Sequence, residues 1–271
     1  MTTTSATTLA DARALNRLVE AEGAKVPAVL VNVIAGFDAL ESQPPPDRPT
    51  TAILAAAIAG KLTPKKVDEL IAEAVAHRAR ETFRAELHRD ADALFIAAYD
   101  KALAEGAADK IIDAIRPEFD EAARVLTEAR QIVDMGLSAQ ALLETAGPEQ
   151  LAAYQSLAPA VATVNRLSKV VMHFGMRSIV FPQIERPALL DMAWVHDIAL
   201  MCTEGDLRHA SSVFREHIGN DPRSSPWMRV APRLNSIGDV RERIRAIAEN
   251  DWLQAQGPNG AGRVNPYTLA P

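Results

Sequence analysis

His196 and Asp197 stand side by side, and an adjacent imidazole and carboxylate can bind a metal ion or pass a proton. His173 lies upstream and Asp239 downstream, so four nitrogen and oxygen donors are available if the fold brings them together. A second series, Glu73, His77 and Glu81, falls at i, i+4 and i+8 on one helix face, and His88 and Asp92 repeat the spacing. Di-iron sites in helical bundles need two Glu-x-x-His motifs. This chain has none, Asp206-x-x-His209 being the nearest, so i,i+4 charge pairing on a helix surface accounts for the series. Cys202 has no neighbouring base to activate it and ends an apolar run, the setting of an inert buried thiol. His209 and His217, with Asp206 and Glu216, read as solvated side chains.

In His173, His196, Asp197 and Asp239 alone, the chain resembles phosphohydrolases of the HD type, which use adjacent His and Asp as metal ligands. The resemblance implies metal-dependent hydrolysis, with the four side chains converging within about 5 Å of one point, because metal bonds to N and O are roughly 2.0–2.2 Å. No G-x-x-x-x-G-K-[ST], H-E-x-x-H or G-x-S-x-G occurs, which removes the common NTPase, zincin and α/β-hydrolase readings. The glycines at 257, 260 and 262 fall in the terminal segment, away from any strand that would make them a phosphate cradle.

Residues 208–245 hold eight Arg against four acidic residues, with Trp227 and His209 interleaved. Arg229 and Arg233 suit phosphates or acidic helices, and Arg241 and Arg245 share a helix face at i, i+4. With Trp227 they form the expected partner-binding surface. A protein partner is preferred to nucleic acid, since no recognition motif accompanies them.

The elements that must position these residues are helical. From Thr63 to about Met135 apolar residues recur every three or four positions, and such a face has to pack against something. Thr63-Pro64 is an N-cap followed by proline at the first helical position. The helix from there to Glu105 is about 60 Å long at 1.5 Å per residue. Gly106 fits its C′ position and Asp109 the cap of the next helix, giving a helical hairpin whose second arm bends at Pro117. The stripe drifts off a strict heptad, which favours a nearly straight helix in a bundle over a coiled coil. Short helices are expected at Leu9–Glu22, Val26–Ile34 and Ile53–Ala59, after Ser138 and Pro148, at Ala160–His173, and finally from Asp239 to Leu253. Pro187–Cys202 reads as a buried helix and Arg177–Ile184 as extended chain.

The expected fold is all-α: a helical bundle built on a long helical hairpin, with a smaller Arg-rich helical C-terminal module. It divides into an N-terminal helical segment at 1–40, a Pro-rich linker at 41–51, a helical core at 52–203, the Arg-rich module at 204–254 and a flexible tail at 255–271. A net charge of −6 argues against non-specific binding to nucleic acid or anionic membrane. Arg outnumbers Lys 22 to 7, so Arg is this chain's default cation and its local excess is a weak signal. The single cysteine, and the lack of any signal peptide or of an apolar run long enough to span a bilayer, point to a cytoplasmic protein with no membrane partner. In layout the chain resembles helical scaffolding and morphogenesis proteins of bacteriophages, which join a helical association segment to a basic C-terminal module. The expected function is therefore non-enzymatic: structural, assembly or adaptor work through helix–helix association with itself or another protein, without cofactor or metal. The HD-type hydrolase and a nucleic-acid accessory protein are the alternatives.

Overall fold

The local signals set most helix ends. Thr8 caps α1 (Leu9–Ala21) by accepting from the Asp11 backbone N–H, while the Asp11 carboxylate accepts from the Thr8 N–H at 2.8 Å. α2 (Ala28–Glu41) follows Pro27, and α3 (Pro49–Ile58) stops at Gly60, whose φ of +64° admits glycine readily. Helix therefore enters the expected linker from both sides. Thr63 accepts from the Lys66 N–H to start α4 (Pro64–Ala102), and Ser138 does the same for α6 (Ala139–Thr145). These facts come from a computed structural model that describes residues 8–42, 49–61, 63–175, 177, 180–181, 195–203, 207–215 and 221–256.

α4 runs through a wide turn at Leu103–Ala107 into α5 (Ala108–Ile132), with Gly106 at φ +112°. The join is a bend in one long helical run, because α5 lies along α7 (Pro148–Gly175) and not back along α4. The expected hairpin is not formed there. Asp109 does not cap α5 either: its carboxylate accepts from the Ile237 N–H at 2.7 Å and so anchors the start of α10 (Ile237–Gln256). Pro117 lies inside α5 and Pro159 inside α7, neither breaking the helix. Both sit on exposed faces, where water can satisfy the carbonyl each proline leaves without a donor.

α8 (Val195–Met201) and α9 (Leu207–Arg215) complete the helical layer, with two short 3-10 turns at 222–224 and 226–228. The expected buried helix at Pro187–Cys202 is seen in α8, and its first part lies outside the described residues. Of the expected extended run at Arg177–Ile184, the described part is a turn: the Phe181 N–H donates to the Arg177 carbonyl. The tail at 257–271 also lies outside them. All described regular structure is helical, apart from an isolated bridge between Cys202 and Pro232. One apolar core joins α1, α2, the bend, α5, α7 and the chain beyond Leu207, including Trp227 and Val240.

Candidate functional site

α4 divides the molecule energetically. Its C-terminal part belongs to the body: Phe95 meets Phe37 of α2 edge-on at 5.5 Å, and the Tyr99 hydroxyl donates to Asn16 Oδ1 at 2.6 Å. Tyr99 is fully buried, and that burial pushes its phenol above the ordinary range. Beside it the buried Arg177 donates to Asp100 and to the His173 carbonyl and lies over the Tyr99 ring. This cluster, which sequence inspection did not reveal, ties α1, α4 and the end of α7 together.

Upstream the same helix loses its support. Between residues 71 and 90, Ala74, His77 and Arg84 are the only described side chains even half-buried. α3 packs against α4, and Leu70 is the last buried residue at that end. Ile71 is 54% exposed, Val75 64% and Phe83 66%. An apolar face this open on an ordinary surface helix is unusual, since such a stripe normally faces a core. The chemistry it offers is packing against another apolar helix. The sequence predicts an apolar register from Thr63 to about Met135 that must pack against something, without separating the stretch that packs within the molecule from the stretch left open. The signal for that separation is spacing: Val67, Ile71, Val75, Ala79, Phe83 and Leu87 recur every four residues, a row that winds around the helix instead of keeping to one side.

The four metal candidates fall in separate settings. His173 is half-buried, and burial first, then the Arg177 guanidinium, hold it below its ordinary value against the pull of Asp11. His196 stacks on Phe181 at 4.7 Å, and burial alone pushes it down to about 4. Asp197 is buried against Gly175, which pushes its carboxyl up to about 7, and its Oδ1 has no hydrogen-bond partner among the described residues. Asp239 caps α10 in reciprocal bonds with Ser236, which hold it low. The convergence that an HD-type centre requires is absent, and no three His, Cys, Asp or Glu are placed to hold a metal among the described residues. Of the remaining candidates, the largely covered His77 pairs with the exposed Glu81 at 3.5 Å, and Cys202 is buried with Sγ 3.0 Å from the Ile198 carbonyl. Asp206, Glu216 and His217 lie outside the described residues, as does the side chain of His88.

The described arginines of the Arg-rich segment divide between inward-turned and exposed side chains. Trp227, expected on a binding surface, is 3% exposed: it meets Phe119 and Phe214 edge-on and donates to Asn165 Oδ1 at 2.6 Å. Arg223 donates to the Leu137 carbonyl at 2.6 Å, Arg241 to that of Val180 at 2.9 Å and Arg243 to that of Cys202 at 2.8 Å. From α5, Arg116 donates to the Leu234 carbonyl and Arg130 to that of Val230. The chain from 221 to 236 has little regular structure, so its buried carbonyls need donors, and Arg116 and Arg130 supply two of them, while Arg223, Arg241 and Arg243 do the same for carbonyls elsewhere in the chain. Arg229, Arg233 and Arg245 remain exposed. A depression of about 200 Å³ beside Asn235 and Arg243 is smaller than the roughly 300 Å³ at which ligand pockets begin.

No family model, curated protein or solved structure matches this chain. Nor is any helix among the described residues long and apolar enough to cross a membrane.

Proposed function

We propose that this protein is a non-enzymatic association module: a helical body that holds out residues 71–90 of α4 as an arm for helix–helix docking. The observation that carries the reading is the unpacked stretch 71–90, with Ile71, Val75 and Phe83 each more than half exposed. A helix standing alone in water is marginal unless another surface covers its apolar side. The body, by contrast, has the marks of a finished support. The Asp100–Arg177 pair, the Arg130 and Arg223 contacts to backbone carbonyls, and the Phe119–Trp227 contact hold α4 at its base and α5 behind it.

The reading assigns the protein to the cytoplasm, where a lone buried cysteine stays reduced. The test is site-specific photocrosslinking in the native cell. A crosslinker at Phe83 should give a defined product, and the same group at the exposed Asp113 of α5 should not. If Phe83 yields no product while Asp113 does, the arm is not the docking element.

A further inference from the structure

We propose that the arm pairs with the arm of a second copy of this chain, the two α4 helices crossing antiparallel with Ala79 on the two-fold axis. This rests on the association reading above and names its partner. The apolar row is nearly a palindrome about Ala79. Reversing it places Val75 opposite Phe83 of the second copy and Ile71 opposite Leu87, with alanine facing alanine at the centre. A two-fold interface requires one patch to complement itself, and apolar side chains opposite apolar side chains meet that requirement. Val75, Arg78, Ala79, Thr82, Phe83 and Glu86 also frame a shallow open depression on this face, floored by the small side chains of Ala79 and Thr82. A bulky Phe83 from the second copy fits such a floor.

Rows at i±4 on both helices interdigitate at a crossing of about −50°, and a small residue at the crossing lets the axes approach to about 8 Å. Covering Ile71, Val75, Phe83 and Leu87 on both copies, with their neighbours, buries on the order of 1,000 Å², the lower bound of a specific interface. The dimer should therefore be reversible. The arm carries no net charge, residues 64–90 holding six basic and six acidic side chains, but Arg78 and Arg80 flank the axis on both copies, and their mutual repulsion is a further reason for the dimer to be weak.

The test uses the full-length protein. Light scattering on a sizing column should give twice 29.3 kDa for the wild type at high concentration and 29.3 kDa for Phe83→Glu and Ile71→Glu. Both substitutions lie on exposed positions, so circular dichroism should remain that of a folded body. Ala79→Cys should form a reducible disulfide dimer on mild oxidation, because only a residue at the axis meets its own copy. Ala85→Cys, about 120° round the helix from Ala79 and away from the axis, should not. A wild-type dimer that survives Phe83→Glu, or that leaves Ala79→Cys uncrosslinked, overturns the proposal. So does a wild-type monomer, and hydrogen exchange then separates the two ideas. Fast exchange across 71–90 leaves an arm in need of a different partner, and slow exchange removes the association reading as well.

Discussion

Gly175 ends α7 where the Asp197 carboxyl is seated, and a side chain there has nowhere to go. A Cβ would stand 2.7 Å from Asp197 Cγ and 3.2 Å from its backbone nitrogen. The nitrogen cannot swing aside as a flexible side chain would, so Gly175→Ala should cost about 1–3 kcal/mol of stability, read from urea denaturation at pH 7. The neighbouring pair makes a sharper prediction. Asp197 has its folded value raised from 3.8 to about 7, so the stability it contributes is complete below pH 4 and is lost as pH rises towards 7. His196 has its folded value lowered from 6.5 to about 4, so its contribution is complete above pH 6.5 and is lost as pH falls towards 4. Across pH 4–6.5 the two slopes oppose each other, each about 1.4 kcal/mol per pH unit at most. Asp197→Asn should unmask the histidine, giving stability that climbs from pH 4 to 6.5 and then levels. A profile parallel to the wild type would mean that Asp197 titrates as an ordinary carboxyl.

At the scale of elements, arginine contributes mainly as a donor to irregular backbone. Arg130 reaches the Trp227 carbonyl at 3.3 Å and also that of Val230, so Arg130→Ala strands acceptors in a part-buried setting. A loss of about 1–3 kcal/mol is expected. Arg233→Ala, at an exposed position, should stay within about 0.5 kcal/mol. Equal effects in denaturant melts would refute the distinction. Much of the helical plan was legible because its signals are local: Thr63-Pro64, Ser138 and Gly60 each act on backbone groups within four residues. That α5 runs on through Pro117 was legible in the apolar stripe that stays in phase across it, whereas the cost of the proline depends on whether water reaches the carbonyl one turn back, which is a tertiary fact. The inward turn of Trp227 depended on Phe119 and Phe214, distant in sequence, and could not be read from its Arg neighbours. The metal candidates failed for the same reason: proximity in the chain does not settle which element each side chain faces. Only the arm left a usable trace, since an apolar row at intervals of four cannot stay on one packed side of a 39-residue helix.

The whole molecule presents two surfaces that could govern association, the apolar arm and the exposed Arg229, Arg233 and Arg245, and they respond oppositely to salt. Contacts through guanidinium groups on the surface are screened over about 8 Å at physiological ionic strength, and less salt strengthens them. The arm carries balanced charge around an apolar row, so covering it depends on removing apolar surface from water, which added salt does not weaken. Raising sodium chloride from about 50 mM to about 500 mM, a range that shortens the screening length several-fold, should therefore leave the association constant unchanged or increase it. Cooling from 25 °C to 5 °C should weaken association, because the hydrophobic contribution fades on cooling. Both are read by sedimentation equilibrium of the wild type beside Phe83→Glu. An association that collapses as salt rises would move the interface from the arm to the arginines. The 71–90 stretch would then be a helix held by its own base alone, and the burial of Phe95, Tyr99 and Asp100 in the body would have to account for its persistence.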